Sequence, residues 1–533
     1  MVIVKLAGTL ALVATVLTTS VGAAMAEKHG GTLRVYHRDT PPSGSIHEEA
    51  TNSTVSPYMA VFNNLVIFDQ HIAKNSLDTI RPDLAVGWSW DESKTNLTFD
   101  LHSGVQWHDG KPFTSADVKC TWDMLLNKVP REKRLRKNPR DIWYWNLKDV
   151  TVDGDTKVTF HLGQPQPSFL ALLASGYSPV YPCHVDPKTM RTNPIGTGPF
   201  KFVELKQNER IKFVRNENYW KKDRPFLDAI EWTIIESRST RILAFIAGTF
   251  DMTFNVDVTV PLLKDIKSQV PDAVCELVPT GVSTNLIVNR DSPPFSDERI
   301  RRAMALTLDR PSFITILSEG QSDMGGAMLP PPGGVWGLPQ EALENVAGYG
   351  DVEANREKAR ALMQEAGYGP ENRLKVIVAT RNIEIYRDPA VILIDQLKHI
   401  YIDAELKVVE TSNWHAVVAK KDYQVGLNLT GVGVDDPDVN FFENYACGSQ
   451  RNYTGYCNEE LQKLFEKQSG MTDPEARKKL VWEIDAKLQE DVARPIIFQG
   501  VGGTCYQDHV KNFVVPSNSS YNAWRFEDVW IDN

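Results

Sequence analysis

Near residue 280 the chain changes its rhythm. Upstream, short alternating runs dominate. Residues 96–102 (NLTFDLH) put Leu97, Phe99 and Leu101 on one face, and residues 157–162 (KVTFHL) do the same with Val158, Phe160 and Leu162. A period of two with one apolar side marks a half-buried strand. Between these runs, Trp107-His108-Asp109-Gly110 carries the Asp-Gly pair of a tight hairpin turn. Thr114 and Asp117 then resemble a capping box opening a helix that runs through Met124. Further strands are expected at residues 31–36, 200–204, 211–215 and 231–235, and Ile242, Phe245 and Ile246 have helical spacing. Downstream the pattern alternates helix with strand. A helix opens at Asp297, and another spans 351–366 with Ala359, Leu362, Met363 and Ala366 on one face. Gly367 suits the left-handed position that ends such a helix. A strand at 373–380, a helix at 388–399 and a strand at 404–409 follow. Asp473 and Pro474 open the last helix as N-cap and first residue, and a strand at 495–498 closes the series. Such alternation predicts an α/β lobe with a largely parallel sheet.

At 533 residues the chain is long enough for two to four domains. Its net charge of −10 argues against nucleic acid or an anionic membrane as partner. The basic run at 131–140 reads as a solvated face. The first 26 residues have the form of a signal peptide: Lys5, an apolar run at 6–17, then Ala24-Met25-Ala26 as cleavage site. The mature chain would start at Glu27, exported to an oxidising space. There Cys447 and Cys457 flank a turn-rich loop and are expected to pair, worth roughly 2–3 kcal/mol of loop-closure entropy. Cys120, Cys183, Cys275 and Cys505 cannot be paired from spacing, and no C-x-x-C motif suggests zinc or redox chemistry. Residues 330–337 (PPPGGVWG) are expected to form a surface loop.

An ordered set of segments carries a resemblance. These are RPDLAVGW (81–88), GVQWHDGKPFTSADV (104–118), PIGTGPF (194–200), RNENYW (215–220), PFSDERIRRA (294–303) and EAGY (365–368). Together they resemble the family 5 extracellular solute-binding proteins, the dipeptide- and oligopeptide-binding group. The resemblance spans almost the whole mature chain. It implies an α/β, type II-like periplasmic binding protein of two lobes joined by two crossings. Lobe I would comprise 27–282 and 498–533, with an inserted subdomain at about 61–195, and lobe II 283–497. It further implies a periplasmic monomer that closes on a peptide-like solute and hands it to the permease of an ABC importer. No catalytic residue, cofactor or metal site is expected. Each signature segment also has a plain structural use: His108 belongs to a hairpin, and GTGPF to a tight chain crossing.

Ligand contacts are sought outside those signatures. Arg381 ends a strand on the cleft side and resembles the arginine that grips a ligand carboxylate; an ion pair within the protein would use the same chemistry. Trp414 is a candidate pocket wall or a core residue. Residues 427–438 (LNLTGVGVDDPD) match the segment that in relatives offers backbone hydrogen bonds and an aspartate for the ligand's amino group. Here Gly431 and Gly433 are the backbone candidates. Gly433 stands at the aspartate position, which puts free-amine recognition in doubt. Asp435 and Asp436 are the acidic candidates, with turn formation before Pro437 as their other use. In lobe I, Glu48, Thr51 and Asn52 lie in the loop 47–53 where relatives touch ligand. Oligosaccharide, metal-chelate and haem binders share the fold, so the ligand class stays open. A hydrolase is the remaining rival, without a G-x-S-x-G or H-E-x-x-H motif to support it.

Overall fold

The computed structural model describes residues 27–532; the leader assigned to 1–26 lies outside the described residues. Two main apolar cores organise it. One draws on residues 33–278 and 505–531, with Val432, Val434 and Val439 reaching in. The other draws on residues 286–498.

On the first core sits a four-stranded sheet. Thr32–His37 pairs in parallel with Ala229–Ile234, which continues antiparallel into Arg210–Arg215 and Phe200–Lys206. A second, antiparallel sheet has the order Ala85–Trp90, Asn96–Leu101, Lys157–Leu162, Leu147–Asp153. Its alternating residues Leu97, Phe99, Leu101, Val158, Phe160 and Leu162 are all buried. The helix Ser115–Leu125 packs on this sheet, opened by reciprocal bonds between Thr114 and Asp117. His108 ties the hairpin turn to the chain crossing: its Nε2 pairs with the carbonyl of Gly198 at 3.0 Å, and Gly196 N–H donates to its Nδ1 at 3.3 Å.

The second core lies on a five-stranded sheet of order Ile402–Val409, Leu374–Arg381, Val425–Gly431, Val274–Val288, Ile496–Tyr506. The expected largely parallel sheet is present with one strand reversed, Val274–Val288, which is antiparallel to both of its neighbours. The first three strands are parallel, but the last two pair antiparallel. The reason is topological. Val274–Val288 carries the chain into this lobe and Ile496–Tyr506 carries it out. Two neighbouring crossings in opposite senses must run antiparallel.

The crossings are long enough to serve both lobes. Their ladder runs from Val274↔Tyr506 to Pro279↔Val501, slips, and resumes at Ser283↔Gln499. At the slip, Gly281 has φ +65°, and a Cβ there would lie 2.4 Å from the carbonyl oxygen of Asn518. Only glycine fits such a turn without strain. Cys275 and Cys505 face each other on the ladder and are bonded, as are Cys120 with Cys183 and Cys447 with Cys457.

Helix signals mostly read true. Asp351 caps Val352–Glu365 by accepting from Ala354 N–H, and Gly367 has φ +91°. Asp473 caps Pro474–Glu490. The helix expected from residue 388 starts four residues earlier, as Glu384–Leu397, with Pro389 inside it. Asp-Pro resembled a helix start, yet Pro389 merely has no N–H to offer the carbonyl of Ile385. Among the described residues, no helix is long and apolar enough to cross a membrane.

Candidate functional site

Three strands deliver their C-terminal ends to one place. Thr32–His37 leads into Arg38 and Asp39, Leu374–Arg381 ends on Arg381, and Val425–Gly431 ends on Gly431. Open α/β sheets bind ligands beyond such carboxyl ends. A cavity of about 270 Å³ lies there, lined from both lobes. Arg38, Thr51, Asn52, Val256, Asp257, Ser520 and Tyr521 form one side. Thr284, Arg381, Tyr386, His415, Gly431 and Arg451 form the other.

Arg381 lines this cavity but is already occupied. Its Nε donates to Thr411 Oγ1 at 2.8 Å and its Nη2 to Ser53 Oγ at 2.8 Å. Nη2 also holds a short ion pair with Asp39, which in turn accepts from Thr411 and, at 2.6 Å, from Ser53 Oγ. Burial alone would raise the Asp39 carboxyl, but Arg381, His37 and Arg38 overcome it and hold the group well below the usual carboxylate range. Asp39 and Ser53 belong to the first lobe, so this pair ties the lobes across the cleft.

The other candidates divide. Thr51 and Asn52 line the cavity. Thr51 also caps the helix Asn52–Tyr58, and Asn52 Oδ1 accepts from Ser56 at 2.7 Å. Glu48 points elsewhere: Arg191 grips it with two bonds of 2.6 and 2.8 Å. Gly431 lines the cavity because Tyr521 presses on it, and a Cβ there would lie 1.8 Å from the tyrosine hydroxyl. Gly433 lies outside the cavity lining, and its carbonyl accepts from Asn522 Nδ2 at 2.9 Å and Ser519 Oγ at 3.2 Å. Trp414 is fully buried among Ile287, Ala379 and Val418, with its indole N–H on Asn428 Oδ1 at 3.1 Å.

Asp435 and Asp436 also lie outside the lining. Asp436 caps the helix Pro437–Tyr445 and is held by Arg477 through bonds of 2.7 and 3.0 Å. Asp435 has a buried Oδ1 without a partner, and burial with neighbouring Asp436 pushes its carboxyl up to about 7. The Asp-Pro turn uses the Asp436 side chain locally, where it accepts from Asp438 N–H, as the Asx chemistry before a proline favours.

Sequence reasoning overlooked Arg38, Asp39, His415 and Tyr521. The position of Arg38-Asp39 directly after the first strand was a usable signal. His415 is held well below the usual histidine range, first by burial and then by Arg381, Arg451, Lys137 and Arg140. It is therefore neutral at ordinary pH. Among the described residues, no three His, Cys, Asp or Glu side chains converge to hold a metal ion.

Further bonds close the cleft away from the cavity. Trp143 Nε1 donates to Glu443 Oε2 at 2.7 Å. Asp438 accepts from Ser168 Oγ at 2.5 Å and Gln166 Nε2 at 3.1 Å, joining the inserted sheet region to the second lobe.

The chain has clear relatives. Heme-binding protein A of Haemophilus influenzae is 26% identical over 495 residues, covering 87% of this chain and 86% of the relative. Oligopeptide-binding protein AppA of Bacillus subtilis is 26% identical over 439 residues, covering 76% of each. Among solved structures, Haemophilus influenzae OppA in complex with the peptide RPPGFSPFR superposes with a TM-score of 0.83 at 21% identity, over 95% of this chain and 100% of that one. AgaA from A. tumefacien R10, in complex with agropinic acid, gives 0.81 at 22% identity, over 94% and 99%. The family model for bacterial extracellular solute-binding proteins, family 5 Middle, matches residues 79–452. This two-lobe chain, with a cavity between its lobes, belongs to the bacterial extracellular solute-binding proteins of family 5.

Proposed function

We propose that this protein captures a peptide or peptide-like solute outside the cytoplasmic membrane and delivers it to the permease of an ABC importer. The observation that carries this reading is the cavity whose walls come from two lobes joined by paired crossings. A solute that touches both walls favours the closed arrangement over the open one, by as much as its affinity for the two differs. At 100 times its Kd such a solute stabilises the bound form by about 2.7 kcal/mol.

The hinge lies at the ladder slip, around Pro279–Ser283 and Gln499–Val501. This divides the chain close to 27–282 with 498–533, and 283–497. The disulfide Cys275–Cys505 clamps the crossings on the first-lobe side of that slip, so rotation is confined to the slip itself. Thr51, Asn52, Arg381 and Gly431 are the sequence candidates that line this cavity, Arg381 through its ion pair with Asp39. The protein binds and releases without chemistry, as a monomer in the periplasm after removal of residues 1–26. Relatives bind peptides, and AgaA an acid that is not named as a peptide, so a small peptide-like acid is the class favoured here.

Native mass spectrometry of protein purified from its own host tests this. A co-purified small solute is expected, and deletion of the gene should abolish uptake of that same solute. Purified protein without bound solute, together with undiminished uptake in the deletion strain, would refute it.

A further inference from the structure

One buried charge in the cavity carries donors that no acceptor within the protein completes. Arg38 is 5% exposed, yet its Nε and Nη1 are buried without any hydrogen-bond partner. Asp257 stands 3.9 Å from Nη1, too far for a hydrogen bond. Both oxygens of Asp257 are already taken by Arg241, at 2.7 and 3.0 Å. Asp39, next in sequence, is turned to Arg381 and Thr411. Phe254 lies beneath the guanidinium, 4.6 Å from its ring centre, and supplies no acceptor in the plane of the fork. A buried donor left unmade costs on the order of 1–3 kcal/mol, and more when charged. Native structures keep such groups where something outside the fold completes them.

Independent groups on the same cavity repeat the pattern. Both ring nitrogens of His415, the hydroxyl of Ser520 and Nε of Arg451 are buried and unpartnered. The carboxylates that reach the cavity are covered: Asp257 by Arg241, and Asp388 by Arg238 at 3.1 Å. The cavity thus presents unfilled buried donors, and each carboxylate that lines it is already paired with an arginine.

We propose that Arg38 anchors a carboxylate of the captured solute, and that the cavity selects solutes that carry this carboxylate but no free ammonium group. This deepens the solute-capture reading and rests on it. The guanidinium fork matches a carboxylate through two parallel N–H bonds. An ammonium group would enter a site with no free anion to receive it.

The test uses the full mature protein and three probes: N-acetyldialanine, dialanine amide and succinate. Calorimetric titration should detect N-acetyldialanine or succinate and leave dialanine amide at least about tenfold weaker, the size of one charge-assisted interaction. Arg38→Met should weaken the carboxylate probe by about tenfold or more while melting, without probe, no lower than the parent. Arg38→Lys keeps the charge and loses the fork, so it should fall between the two; it serves if the methionine variant folds poorly. Dialanine amide binding as well as the acids, or acid binding untouched in both variants, would overturn the anchor and leave solute capture standing. Silence from all three probes would also overturn it. In that case a co-purified solute would preserve the capture reading, and the lack of one would remove both.

Discussion

Arg381 and Arg38 face the same cavity from opposite lobes and are almost equally buried, at 2% and 5% exposed. Their surroundings differ. Arg381 meets Thr411 of its own lobe and, across the cleft, Asp39 and the hydroxyl of Ser53. Arg38 has buried donors without acceptors. A paired buried charge holds two bodies in one geometry. An unpaired one costs free energy until a guest completes it. So one wall of the cleft latches closure and the other asks for the ligand.

Removing the partner on each wall should therefore have unlike effects. Asp39→Ala strands Arg381 in the closed form, at a cost of about 3–5 kcal/mol. The protein is expected to relieve this by opening, seen as a larger radius of gyration and a lower melting point than the parent at the same solute concentration. Arg38→Met, a change to an apolar chain of similar length, should leave unliganded stability unchanged or raise it by up to about 3 kcal/mol, because it removes buried donors that lack acceptors. Equal destabilisation in both variants would erase the distinction between the walls.

A second acidic group sharpens it by titrating in the opposite sense to Asp39. Asp39 is depressed when folded, so the stability it supplies is present above about pH 4 and is lost as pH falls. Asp435 is raised to about 7, first by burial and then by Asp436. Unfolded it ionises near pH 4, so between about pH 4 and 7 the folded form binds the extra proton. Its contribution therefore declines as pH rises through that window and stays low above it. Asp485, pushed up to about 6 by burial, adds to the same slope below pH 6. Asp435→Asn should flatten the stability profile between pH 6 and 7 and raise stability at pH 8 by a few kcal/mol, on the order of 1.4 per unit of pKa change. Urea unfolding at pH 6, 7 and 8 would check this; a parallel profile in the variant would show that Asp435 does not hold its proton.

Much of the fold was legible because period and punctuation are local. Leu97, Phe99 and Leu101 announced their strand, and Asp351, Gly367 and Asp473 their helix ends, each through chemistry within a few residues. The sense of the crossing strands was not legible, since direction depends on which distant segment lies alongside. The same holds for Cys275 with Cys505, which are 230 residues apart in the chain. The site was half legible for a related reason. Sequence names a side chain but not its partner. Arg381 looked like a free fork until Asp39 was found beside it. Asp436 looked like a ligand contact until Arg477 and the helix Pro437–Tyr445 claimed it. Arg38 was passed over because its meaning lies in what it fails to touch.

Closure around a guest underlies both arginine roles, and small-angle scattering of the mature protein reads it directly. With co-purified solute removed, the radius of gyration should be larger; on return of that solute, or on addition of a carboxylate probe, it should shrink as the melting point rises. One unchanging shape under every solute, with no gain in melting point, would contradict it.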